Sequence, residues 1–217
     1  MSEHTTVVSD VSKQFKNEKV LKNVTLTCKS GQIYGIVGRN GSGKSVLLKI
    51  ICGFMKPDSG KVTIDGGQVG KDIDFPENIG MVMDSPGFLW YESGLSNLLY
   101  LAGINKKIDK EAVREAMKKV GLDPDNKKKV MKYSLGMKQR LNIAQAIMEN
   151  QEILLMDEPM NGLDEKAVTF VRELLAELRS QGRLIILVSH NREDIELLCD
   201  EVYQMRDGEL MMKGSTS

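Results

Sequence analysis

Val and Thr recur with partial alternation in TTVVSDVSKQF (5–15) and VLKNVTLTCKSG (20–31), which predicts two strands joined by a polar turn at Lys16–Lys19. QIYGIVG (32–38) is a short apolar run ending in glycine, as a buried strand would be. A helical pattern runs from Lys44 to Phe54 and closes in the turn sequence MKPDSG, before a further strand in KVTIDGG. From about 85 to 150 the period changes. DKEAVREAMKKVGL carries apolar residues at helical spacing and ends at Gly121, and MKQRLNIAQAIMEN is also helical. Alternation then returns: strand EILLMD, helix Asp164–Ser180, strand LIILVS, helix Arg192–Cys199 and strand EVYQMRDG.

Strands alternating with helices imply a parallel sheet covered on both faces. The expected fold is one α/β domain over 1–217. It has a parallel-sheet core, a helical insert at about 85–150 and an antiparallel β layer near the N-terminus. With 41% apolar and 28% charged residues, the chain falls among ordinary globular proteins. Thirty basic residues balance thirty acidic ones, so no nucleic-acid partner is expected from net charge. Cys28, Cys52 and Cys199 are far apart, odd in number and in no CxxC pattern, which argues for a reducing compartment and against a disulfide framework or zinc site. The start lacks a basic stretch followed by an apolar one, so no secretory signal is expected. Apolar runs such as LIILV fall far short of the roughly 18–20 residues that span a bilayer.

GRNGSGKS, comprising Gly38, Arg39, Asn40, Gly41, Ser42, Gly43, Lys44 and Ser45, fits the phosphate-loop pattern G-x-x-x-x-G-K-[ST] in full. It follows a predicted strand and opens a predicted helix, a placement that separates it from a chance glycine-rich turn. Glycines let successive N–H groups turn inward towards phosphate oxygens, and the helix N-terminus adds partial positive charge. Lys44 is expected to reach the β- and γ-phosphates and Ser45 to hold Mg²⁺. ILLMDEP (153–159) reads as a buried strand ending in two acids at a sheet edge where ligands bind. Asp157 there is placed to orient Mg²⁺, and Glu158 to accept a proton from an attacking water. LIILVSH delivers His190 to the same edge, within expected reach of the γ-phosphate.

YSLGMKQR (133–140) has no ligand chemistry of its own, but Ser134 is a good N-cap for the helix that follows. A capped helix start beside a glycine is also an anion site. Facing a second copy of the chain, it would sandwich ATP between two subunits. GRNGSGKS, YSLGMKQRL, ILLMDEP, NGLD and VSH, in this order, resemble the ATP-binding subunit of ABC transporters over nearly the whole chain, from about Val7 to Met211. The signature segment resembles that of the bacterial bacitracin- and drug-export type. The resemblance implies a P-loop NTPase (RecA-like) core with an antiparallel β subdomain and a helical subdomain. It also implies that Ser134 and Gly136 contact the γ-phosphate held by the opposing subunit, that Asp164 lies at the dimer seam, and that His190 is the switch histidine. Phe15 stands where an aromatic stacks on adenine; a core strand position is the alternative.

Three positions depart from the family pattern. Val46 replaces a common Thr and loses a hydroxyl contact to phosphate while keeping its backbone N–H, so weaker nucleotide affinity is expected. Leu135 and Met137 replace the usual Gly and Gln; the backbone donors survive unless Leu135 has to adopt positive φ. Asp84 replaces the Gln that links Mg²⁺ and the attacking water to the transporter, and is shorter and charged.

The resemblance implies an ATPase that binds ATP and Mg²⁺, dimerises with an identical or a different subunit, and serves a separate transmembrane permease. It would work at the cytoplasmic face of a bacterial membrane, and the short stretch after MRDGELMMKG leads one to expect a minimal motor subunit without an added regulatory domain. Phe88, Trp90 and Tyr91 are candidates for gripping the permease, or for the core of the helical lobe. Two other readings stay open: a soluble ABC-type ATPase acting on DNA or ribosomes, and a cassette that binds ATP without hydrolysing it.

Overall fold

A computed structural model describes residues 4–83 and 87–215. Its centre is a six-stranded sheet in the order β10(Glu209–Ser215), β9(Glu201–Arg206), β3(Ile33–Val37), β8(Leu184–Val188), β7(Ile153–Asp157), β6(Ile79–Val82). All neighbours are parallel except β10 and β9, which form a terminal hairpin. A second, antiparallel sheet has the order β2(Glu18–Lys29), β1(Thr5–Phe15), β4(Ser59–Ile64), β5(Gly67–Gln68).

The two central strands explain the layering. Every residue of β7 and β8 is buried, and successive side chains point to opposite faces. Ile153, Leu155, Leu184, Ile186 and Val188 join a core with β1, β2 and helix α1(Lys44–Ile51). Leu154, Met156, Ile185 and Leu187 join the other core, with the helices. One sheet thus separates a β-plus-α1 layer from a helical layer, which is why both strands read as unbroken apolar runs.

The helical layer contains α2(Gly94–Asn105), α3(Lys110–Lys119) and α4(Leu135–Ile147), followed after β7 by α5(Glu165–Ser180) and α6(Arg192–Leu198). Each of α2–α6 has a side-chain N-cap: Ser93, Asp109, Ser134, Asp164 and Asn191. α3 ends near Gly121 in the left-handed conformation (φ 71), where the sequence predicted its stop. No helix among the described residues is long and apolar enough to cross a membrane.

Candidate functional site

β3 delivers the chain to Gly38 and α1 takes it up again at Lys44. The loop between them closes so tightly that a Cβ on Gly38 would lie 2.3 Å from the Met205 carbonyl oxygen. Gly43 caps the helix at φ 107, and a Cβ there would meet the Val20 carbonyl oxygen at 2.7 Å. The sequence must place glycine at both. Lys44 curls back over the loop, its Nζ donating to the carbonyls of Gly38 (2.8 Å) and Arg39 (2.9 Å). Burial pushes its ammonium below the ordinary lysine range; the nearby Glu158 and Asp157 carboxylates oppose this. The Ser42 Oγ, packed close to Gly38, is buried without a hydrogen-bond partner.

The loop forms one wall of a cavity of about 510 Å³. Gly38, Arg39, Asn40, Gly41, Gly43, Lys44, Ser45 and Val46 line that wall; Asp157, Glu158, Asn161 and His190 line the opposite one, with Val20 at the rim. The sheet accounts for this convergence, since β3, β7 and β8 are parallel neighbours and end at one edge.

Asp157 is buried at the end of β7. Glu158 turns left-handed (φ 50), its N–H donating to the Val188 carbonyl at 2.9 Å and so tying the ends of β7 and β8. His190 Nδ1 lies 2.8 Å from Glu158 Oε2, and the His190 backbone N–H donates to the same oxygen at 3.3 Å. The sequence placed both residues at this edge; their direct contact is a finding of the structure.

Ser134, Gly136 and Asp164 do not line this cavity; they gather elsewhere. Ser134 Oγ accepts the Met137 N–H (3.2 Å), and Asp164 Oδ1 accepts the Ala167 N–H (2.9 Å). Gly136 faces the Gly162 carbonyl and Leu163, so the first turn of α4 rests on the NGLD loop. Leu135 is an ordinary helical residue, absent from the positive-φ positions, and 66% exposed. Its side chain lies across Gly162 (φ 74), where a Cβ would come within 2.2 Å of Leu135 Cδ2.

Phe15 is 42% exposed at the end of β1, with Lys13 Nζ 5.7 Å from its ring centroid, and does not line the cavity. Phe88 packs on the helical core, whereas Trp90 (61% exposed) and Tyr91 stand in the open, edge to face at 5.4 Å. The core reading of the aromatic segment thus holds for Phe88 and not for Trp90 or Tyr91. Asp84 lies outside the described residues.

Several contributors escaped the sequence reading. Asn161 lines the cavity and Val20 reaches it from β2. Gln139 of α4 donates to the carbonyls of Glu158 (3.2 Å) and Pro159 (3.0 Å). Buried Asn142 donates to the Met83 carbonyl at 2.6 Å. The only sequence signal was the position of Asn161 and Gln139 inside motifs already noticed.

The cavity suits a polyphosphate with a hard cation. It offers a glycine cradle, a buried ammonium, and the oxygen donors Ser45 and Asp157.

The ABC transporter family model matches residues 21–161. The ABC transporter ATP-binding protein YybJ of Bacillus subtilis is 43% identical over 203 residues, covering 94% of this chain and 93% of that protein. The bacitracin transport ATP-binding protein BcrA of Bacillus licheniformis is 37% identical over 205 residues, covering 94% of this chain and 67% of that protein. Among solved structures, the dimeric ABC transporter cassette MJ0796 aligns with a TM-score of 0.88 at 27% identity, covering 98% of this chain and 99% of that one. The post-hydrolysis dimer of the same cassette, bound to ADP and Pi, aligns at 0.86 and 26% identity, over 98% and 99% of the two chains. This chain belongs to the ABC transporter family, as one of its ATP-binding cassettes.

Proposed function

We propose that the chain hydrolyses ATP as the motor subunit of a transporter, closing as a dimer around two nucleotides and moving a separate membrane permease. The observation that carries this reading is the Glu158–His190 pair, at 2.8 Å, facing the lysine-bearing glycine loop across one cavity. Lys44 binds the terminal phosphates, exchanging its two carbonyl partners for phosphate oxygens. Glu158 accepts the proton of the attacking water, and His190 holds the Glu158 carboxylate in place and lies within reach of the departing phosphoryl group. Ser45 and Asp157 would hold Mg²⁺, which when bound neutralises charge on the phosphates. Phe15, exposed and outside the phosphate cavity, is free to stack on the base.

Ser134, Gly136 and Asp164 serve the partner's nucleotide. Their clustering away from their own chain's cavity supports that assignment. Loss of the bridging γ-phosphate after hydrolysis then lets the dimer open, which is the mechanical output. The permease docks at a cleft of about 640 Å³ between β6, α2 and α4, whose lining includes Phe54, Phe75, Met81, Leu101 and Ile104. Trp90 and Tyr91, exposed ahead of α2, are further candidates for gripping it. The working place is the cytoplasmic face of the membrane, and the likeness to BcrA favours peptide or drug export.

Phosphate release from Mg·ATP by the purified chain, alone and with membranes carrying its permease, tests the proposal. Turnover that disappears in Glu158→Gln supports it; equal turnover in that variant removes Glu158 from its role. Retention of a multi-span membrane protein by tagged Glu158→Gln protein with ATP supports the transporter assignment. A ribosome or DNA complex in its place would overturn it.

A further inference from the structure

A buried carboxylate holds the loop that carries His190. Asp194, in the first turn of α6, is 1% exposed. Its Oδ1 accepts from Arg172 Nε (2.8 Å) and Nη2 (2.5 Å), and its Oδ2 accepts the hydroxyl of Ser189 at 3.2 Å. Ser189 is itself 2% exposed, and its Oγ accepts the Asn191 N–H at 3.1 Å. Hydrogen-bond direction is thereby fixed. A carboxylate only accepts, so the Ser189 hydroxyl gives its proton to Asp194 and turns a lone pair to the Asn191 N–H. The residue between those two anchors is His190.

Arg172 lies on α5, whose first turn is capped by Asp164 of the NGLD loop. The Arg172–Asp194 ion pair therefore connects the helix leading from the expected dimer seam to the loop bearing the expected switch histidine. Glu193 also binds Arg172, at 2.9 Å, but its side chain is largely exposed and no contact joins it to Ser189.

We propose that Asp194 is a positioning residue for hydrolysis: through Ser189 it sets His190 against Glu158, and through Arg172 it couples that setting to α5. This rests on the hydrolytic reading of the site. Asp194 is buried and does not line the phosphate cavity, so its loss should act on turnover and spare nucleotide affinity.

The isosteric Asp194→Asn variant is the first test. Its amide keeps one oxygen for Arg172 and turns N–H donors towards Ser189, so the Ser189 hydroxyl loses its acceptor and the contact must reverse. Misplacement of a catalytic group well short of 1 Å predicts a kcat lower by roughly tenfold. The KM for ATP should stay within about twofold, as expected when ground-state binding is untouched. Glu193→Gln, which changes the exposed partner of Arg172, should leave kcat as it is. Ser189→Ala breaks the link while sparing the ion pair, and should reproduce the kcat loss even if Asp194→Asn fails to fold. The chain has two histidines, so the imidazole resonances of His190 can be followed by NMR whether or not ATP turns over. They should shift in Asp194→Asn and Ser189→Ala and stay put in Glu193→Gln. Wild-type turnover with unchanged kcat and unchanged His190 resonances in both test variants overturns the inference. A wild type without turnover, whose His190 resonances nonetheless shift in those variants, upholds the positioning and fails the hydrolytic reading instead.

Discussion

On the proposed reading, Lys44 is the residue on which the chemistry of the cavity turns. Its ammonium is held by two loop carbonyls, and burial disfavours its charge. A polyphosphate relieves both conditions, since it supplies negative charge where desolvation is already in place. Lys44→Ala should therefore abolish nucleotide binding or hydrolysis. Calorimetric titration with ATP checks this, and undiminished turnover would remove the assignment. Glu158 and His190 illustrate a different limit. Each was legible at the end of an apolar strand, but their contact spans 32 residues of sequence and follows from β7 and β8 being neighbours. Gln139 was missed for the same reason: its two acceptors lie 19 and 20 residues away on another element.

At the scale of elements, the packing of α4 on the NGLD loop depends on a glycine. Gly162→Ala would drive a Cβ into Leu135. Overpacking of this kind costs about 1–3 kcal/mol, and the left-handed backbone adds roughly 1–2 kcal/mol. Denaturant unfolding should show the loss, with partial recovery in the double variant Gly162→Ala, Leu135→Ala. Absence of any recovery would mean that Leu135 is not the obstacle.

A second inter-element link is His4, which joins the start of β1 to the β4–β5 turn through Asp65 (2.7 Å) and to the residue just before β7 through Glu152 (2.7 Å). Burial lowers the affinity of its ring for a proton, but Asp65 and Glu152 outweigh that and hold it above the usual 6.5. A raised folded-state value means stability that is fully present below 6.5 and is lost as pH rises through the folded value. Thermal midpoints should fall across that rise in the wild type, and His4→Gln should flatten the dependence. Equal slopes in the two proteins would contradict the linkage.

Elements with a clear period were legible. β1 was anticipated over its full range, α3 and α4 by their spacing, and β7 and β8 as buried runs. α2 gave no such signal, because GLSNLLYLAGIN is apolar around most of its circumference and lacks a contrasting polar face. β6 is four residues long at the sheet edge, and its IGMV run follows Asn and Glu as a loop might. Gly80 within it has a positional reason that only packing reveals: a Cβ there would lie 1.8 Å from the Ala146 carbonyl of α4.

At the scale of the whole molecule, the proposed site divides in two. The phosphate cavity is complete on one side of the sheet edge, while Ser134, Gly136 and Asp164 present caps and backbone elsewhere. On the proposed reading, a second copy gives the second cluster a use. Ser134→Arg should therefore leave nucleotide binding to the single chain intact while blocking ATP-dependent dimerisation. A parallel loss of binding by the single chain would place Ser134 in the wrong role.

The most direct measurement is the molar mass of the Glu158→Gln variant by light scattering, with and without saturating Mg·ATP. Binding without hydrolysis should trap the closed state, so the account predicts a mass that doubles on adding nucleotide and returns to that of one chain when nucleotide is removed. A single-chain mass under both conditions, with ATP demonstrably bound, would contradict the two-chain sandwich on which the proposed motor depends.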